Sequence, residues 1–314
     1  MSWKQNLFKD FSKLGPLIGL IIMVIFLGFM SDAFFTLDNI FNLLRQISVN
    51  ALIAFGMTFV ILTAGIDLSV GSLLALGSAL TAGLLTSGID PMLAVLLGLL
   101  IGFGLGAING LIITKGKVAP FIATLATMTI FRGATLVYTD GMPITGLSDS
   151  FAFEMIGGGY VFGVPFPVIL MLVVFLILFF VLKKTVFGRQ VYAVGGNEEV
   201  SVLSGIKADR VKIWVYSLTG MLSVLAGMIL TSRLNSAQPT AGEMFELDAI
   251  AAVVIGGTSL MGGRGRITGT LIGALIIGVI DNGLNLMNVS SFYQQIVKGG
   301  VILLAVLLDR KSNK

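Results

Sequence analysis

"VYAVGGNEEVSVLSGIKADRVK", Val191–Lys212, is the most polar stretch of the chain, and apolar runs long enough to cross a membrane lie on both sides of it. Lys183, Lys184 and Arg189 lead into it. A segment this short between two such runs reads as a loop joining membrane spans. The rest of the chain agrees: of 314 residues 56% are hydrophobic and 11% charged, with mean hydropathy +0.99, whereas soluble domains carry about 25% charged residues. The expected fold class is all-α: a polytopic integral membrane protein forming a single transmembrane domain over residues 1–314, with residues 183–212 as its main cytoplasmic loop.

The apolar runs place spans at 14–30, 48–64, 71–87, 92–113, 118–138, 165–182, 213–231, 246–261, 269–287 and 293–308, each close to the roughly 20 residues a crossing needs. Lys and Arg collect in short cytoplasmic loops. With the N-terminus inside, ten spans put Lys4, Lys9, Lys13, Lys115, Lys117, Lys183, Lys184, Arg189, Lys207, Arg210, Lys212, Arg264, Arg266, Arg310, Lys311 and Lys314 on the cytoplasmic side. Only Arg45, Arg132, Arg233 and Lys298 remain for the spans or the outside. An odd count would invert that bias, so about ten transmembrane helices with both termini cytoplasmic is the expectation. The same placement explains a pI of 9.3 without nucleic acid. The first run, Leu14–Met30, is read as a span and not a cleaved leader, because its apolar core exceeds the usual length of a signal sequence.

Small residues recur four apart: Gly98, Gly102, Gly106 and Gly110; Gly71, Ala75, Ala79 and Gly83; Gly269 with Gly273; Ala274 with Gly278. Lipid supplies no hydrophobic drive for helix pairing, so small faces that let backbones approach are the available device. Such ridges serve packing within one subunit or a seam between two copies. Two glycine-rich joints, "AGIDLSVGS" (Ala64–Ser72) and "IGGTSLMGGRGRITG" (Ile255–Gly269), join neighbouring spans with almost no loop. A broken segment there must line protein or a watery cavity.

Much chemistry is missing. The chain has no histidine and no cysteine, which excludes disulfides, thiolate metal sites and the commonest general base. No G-x-x-x-x-G-K-[ST] phosphate loop occurs; "GGRGR" at Gly262–Arg266 reads as a tight inside turn. No catalytic residue, cofactor or metal is expected. Ionisable residues in the apolar runs are Asp67, Arg132, Asp281 and Lys298, with Glu246 and Asp248 at an outer end. Charge in a bilayer is costly and faces a cavity or a partner. Arg132 is expected to pair with Asp281 or Asp248, or to contact substrate; Asp67, Arg132, Asp248 and Asp281 are the candidate pathway or ion-pair residues.

The polar loop holds the partner signal. Asn197 is a plausible N-cap, with Glu198 and Glu199 in the first turn where the helix dipole favours acids. Val200, Val202, Leu203 and Ile206 then give a short helix an apolar surface, closed by Ser204 and Gly205. A helix resting on lipid headgroups would lead with Lys or Arg; this one leads with carboxylates, which suits docking into a soluble protein.

"GRQVYAVGGNEE" (188–199) with the following "SGI" resembles the ATPase-contacting segment of permeases from the sugar-specific ATP-binding-cassette importers, the ribose, xylose and arabinose group. "AFGMTFVILTAGIDLSVGS" (54–72), "PFIATLATMTIFRGATLVYTDGMPI" (120–144) and the stretch from "TSRLNSAQPTAGEMFELDAI" to "GTLIGALIIGVI" (231–280) continue the resemblance over essentially the whole chain after the first span. The likeness is strongest to the ribose members of the group. It implies a permease without its own ATPase motif, in the bacterial cytoplasmic membrane. It also implies three protein partners: a cytoplasmic ATP-binding-cassette ATPase, an extracytoplasmic sugar-binding protein and a second permease copy in a homodimer. Membrane lipid is the remaining partner. Asn197, Glu198, Glu199, Val200, Leu203, Ser204 and Gly205 would form the coupling helix. The alternatives are a permease for another pentose, a nucleoside or a signal sugar, or an ion-coupled secondary transporter.

Overall fold

The computed structural model describes residues 2–147 and 151–312, with side chains at 15–147, 151–304 and 307. Its helices are α1 Ser2–Met30, α2 Leu37–Leu62, α3 Val70–Thr86, α4 Pro91–Thr114, α5 Pro120–Thr139, α6 Phe151–Gly157, α7 Phe166–Lys184, α8 Val186–Gly196, α9 Glu198–Leu203, α10 Ala208–Leu234, α11 Phe245–Ile255, α12 Ile267–Leu286 and α13 Ser291–Ser312. Four two-residue strands complete the described elements: β1 Ile144–Thr145 pairs antiparallel with β4 Ser236–Ala237, and β2 Tyr160–Val161 with β3 Val164–Pro165. Among the described residues, α2, α4, α5, α7, α10 and α12 are long and apolar enough to cross a membrane. Gly15–Met30 and α3 are shorter apolar helices.

The centre of the molecule is α2, buried without interruption from Ile47 to Leu62. A helix apolar on every side belongs inside a bundle, and α7, α10, α11 and α12 surround this one. The long α10 has α4 on its other side, α3 lies between α10 and α5, α1 leans on α12, and α13 on α11.

Glycine sets these contacts. The α4 ridge faces α10: a Cβ on Gly110 would stand 2.7 Å from the Ile213 Cα, one on Gly102 would stand 2.8 Å from the Gly220 carbonyl oxygen, and one on Gly106 would overlap the Tyr216 carbonyl. Gly269 and Gly273 hold α12 equally close to the Gly256 and Ala252 carbonyls of the α11 side. Both ridges pack within the chain.

Several helix bounds differ from the sequence reading, and local contacts explain two of them. Helix α2 begins at Leu37, well before residue 48, because its polar first turns find partners: Asn39 exchanges amide hydrogen bonds of 3.1 and 2.8 Å with Asn282, and the Arg45 guanidinium lies 4.8 Å over the Tyr160 ring. Helix α11 stops at Ile255 and not 261. Gly257 turns the chain at φ +83, and the Gly257 and Thr258 amides close onto the Val254 and Val253 carbonyls.

Candidate functional site

The loop that opened the sequence reading folds as a capped, outward-facing helix. Asn197 Oδ1 accepts from the Val200 amide at 3.0 Å, and the Asn197 carbonyl accepts from the Ser201 amide and hydroxyl at 3.0 and 2.8 Å. A cap of this kind contributes about 1 kcal/mol. Glu198 meets Lys212 at 2.6 Å while Glu199 stays in solvent. The chain leaves through Ser204 and Gly205, whose φ of +85 suits glycine. Between these ends Val200 and Val202 are exposed and Leu203 is 87% exposed. Covering such a side chain would contribute about 1.5–3 kcal/mol. Ile206 is partly buried and belongs to the base of the loop.

That base is fastened to the core at one crowded point. A Cβ on Gly195, at the end of α8, would overlap the Leu62 carbonyl oxygen and stand 2.7 Å from the Gly263 nitrogen. The Gly263 amide itself donates to the Leu62 carbonyl at 3.0 Å. Alongside, the Tyr192 hydroxyl donates to the Gly265 carbonyl at 2.9 Å; burial pushes its pKa up, with Arg266 pulling the other way, so it stays a neutral donor. A Cβ on Gly262 would stand 2.9 Å from Ala64, so the two glycine-rich joints touch each other, and the loop bearing α9 touches the second joint and the end of α2. Sequence reasoning missed this junction. The paired glycines at 195–196 and 262–263 were its only signal.

The first joint unwinds between α2 and α3, with Ala64 at φ +58. Asp67 is fully buried there. Its Oδ1 accepts from the Ser69 amide at 2.9 Å and the Ser69 hydroxyl at 2.6 Å, and Asn109 donates to the Ser69 hydroxyl at 2.7 Å. The carboxyl sits at the N-terminus of α3, the end of a helix that favours negative charge. Among the described residues it forms no ion pair.

The remaining charges correct the sequence reading. Arg132 does not pair with Asp281 or Asp248; its Nη1 donates to the Pro239 and Ala241 carbonyls at 2.8 and 2.9 Å. Lys298 takes both acids, 2.9 Å from Asp248 and 3.0 Å from Asp281. The cause is helix placement: α5 packs on α3 and reaches the turn before α11, while α13 leans on α11 and carries Lys298 between the two carboxylates. Arg132 instead borders a cavity of about 500 Å³, open on one side, with Ser72, Thr129, Gly133, Glu243 and Glu246. The candidate residues thus fall into four places: the α9 loop, the buried Asp67 turn, the Arg132 cavity and the Lys298 triad.

A model of the branched-chain amino acid transport system / permease component family matches residues 39–306. The ribose import permease protein RbsC of Bacillus subtilis is 66% identical over 301 residues, covering 96% of this chain and 94% of that protein. The protein of the same name from Escherichia coli K12 is 54% identical, covering 94% and 93%. The D-allose transport system permease protein AlsC of Escherichia coli is 46% identical, covering 96% and 93%. No solved structure matches. These relatives are transport permeases and not catalytic enzymes; ATP hydrolysis belongs to a separate subunit. With matches along nearly its whole length and six helices fit to cross a bilayer, the chain belongs to the permease-component family and is a multi-pass protein of the cytoplasmic membrane.

Proposed function

We propose that the chain is the translocating subunit of an ATP-binding-cassette importer for ribose or a closely related sugar, driven by a separate ATPase and fed by an extracytoplasmic binding protein. The observation that carries the coupling is α9, whose apolar tip is exposed while its base is locked to the core. The sugar follows from the relatives: identity falls from the ribose permeases at 66 and 54% to the allose protein at 46% and the xylose transport system permease protein XylH of Escherichia coli at 36%.

The chain crosses ten times as one domain, with both ends in the cytoplasm. Contacts between loops agree with the sides assigned to them. Lys115 meets Asp209 at 2.8 Å, and Gly195, Leu62 and Gly263 touch; all belong to segments the charge bias puts inside. The β1–β4 pair and the Arg45–Tyr160 contact join segments it puts outside.

Sugar passes the Arg132 cavity. Its carboxylates accept hydroxyls in pairs, its guanidinium donates, and Ser72, Thr129 and Gly133 leave room. Facing lipid, such a cluster would be expensive; a second permease copy, in a homodimer, supplies the missing wall and excludes it. The test is Leu203→Asp, which puts a carboxylate into the desolvated contact. Membrane insertion should be retained, while co-purification of the ATPase and uptake of labelled ribose should both fall to background. Full ATPase binding by this variant would overturn the coupling role.

A further inference from the structure

Where α7 ends, α8 runs past and α12 begins, the structure forms a half-open cavity of about 760 Å³. Its polar lining is one-sided. Lys183, Arg189 and Arg266 all line it, and among the described residues no carboxylate does. Among the described residues none of the three forms an ion pair, although Lys115, Lys212 and Lys298 each do. Lys183 instead rests its ammonium 5.1 Å from the Phe179 ring centroid. Three unneutralised cations around one cavity favour an anion with several oxygens, and guanidinium groups match phosphate in a fork geometry. The first turn of α12, which has no side-chain cap, lines the cavity through Ile267 and Thr268.

The remaining walls decide the kind of anion. Phe179, Leu182 and Ile267 make them apolar, which a free inorganic ion would not use. Phe179 and Leu182 belong to α7, whose Leu172, Leu176 and Phe180 are exposed along the preceding turns. In a bilayer that face lies against acyl chains. The depth is right for a headgroup as well: on the other flank of α8, the exposed Trp214 lines a second cavity with Phe187 and Arg210, and tryptophan concentrates at the membrane–water boundary. Basic pockets between membrane helices on the cytoplasmic side suit anionic headgroups.

We propose that this cavity binds the phosphate headgroup of an anionic phospholipid, with Lys183, Arg189 and Arg266 on the phosphate and the acyl chains along α7. The lipid would bridge α7, α8 and α12 and steady the helix that carries α9. The inference rests on the membrane orientation proposed above, but its readout requires no transport, so the import reading and the lipid site can fail separately.

The full chain is purified in mild detergent. Native mass spectrometry then follows retention of phosphatidylglycerol and of phosphatidylcholine, and melting is measured with each lipid or with inorganic phosphate. Phosphatidylglycerol should be retained and should stabilise; phosphatidylcholine and inorganic phosphate should do neither. The triple variant Lys183→Gln, Arg189→Gln, Arg266→Gln should retain about tenfold less phosphatidylglycerol or lower, and Arg266→Gln alone should lose a few-fold should the triple variant not fold. Lys184→Gln, a neighbouring charge outside the cavity, should match the parent. Undiminished retention by the charge variants, equal retention of phosphatidylcholine, protection by inorganic phosphate, or an equal loss in Lys184→Gln would each overturn the site.

Discussion

Gly195→Ala and Gly196→Ala are the same chemical change at adjacent positions, and the structure gives them opposite outcomes. A methyl group on Gly196 meets nothing within 4 Å. On Gly195 it would overlap the Leu62 carbonyl oxygen, 2.8 Å from the Leu62 carbonyl carbon and 2.7 Å from the Gly263 nitrogen. All three are backbone atoms, so no side chain can rotate away. Restoring contacts to about 3.5 Å requires the end of α8 to retreat by roughly 2 Å. Overpacking of this kind costs about 1–3 kcal/mol, and the strained Gly263–Leu62 hydrogen bond adds about 1 kcal/mol if it breaks. The sum, about 2–4 kcal/mol, is below the stability of a typical domain. The protein should therefore fold and relieve the clash by opening the junction. Leu203 and its neighbours are untouched, so the ATPase should still co-purify with Gly195→Ala. Uptake should fall by about tenfold or more, since 1.4 kcal/mol of lost coupling is already a factor of ten. Amide exchange at Gly263 should rise in parallel. Gly196→Ala should behave as the parent in all three measurements. Normal uptake by Gly195→Ala, or equal loss in both variants, would refute the junction as the mechanical link.

Lys298→Met should lower folded yield and melting temperature, because stranding two buried carboxylates costs about 3–5 kcal/mol; adding Asp248→Asn and Asp281→Asn should restore most of it. Arg132→Ala should not be rescued by either asparagine, since its partners are carbonyls, and rescue by Asp281→Asn would contradict the observed pairing. Gly106→Val should destabilise by about 1–3 kcal/mol or more, because its Cβ would meet the Tyr216 carbonyl. Gly104→Ala, with nothing within 4 Å, should be neutral or slightly stabilising in the same melting assay.

The membrane class was legible in the sequence because bilayer chemistry acts on runs of residues: apolar length needs no knowledge of neighbours. The Asn197 cap was legible for the same reason, since a cap bonds an amide three residues away. The glycine ridge from Gly98 to Gly110 was visible as a pattern, yet only packing showed that α10 fills it. Hydropathy also misplaced the start of α2, because Asn39 and Arg45 count as polar until Asn282 and Tyr160 are seen beside them. Pairing across the fold was beyond any local rule. Asp248, Asp281 and Lys298 lie on three helices, and only their packing gives Lys298, and not Arg132, the two acids. The junction of Leu62, Gly195 and Gly263 joins three distant segments through backbone atoms. No side-chain identity encodes such a contact; glycine only permits it, and the tertiary structure decides where it occurs.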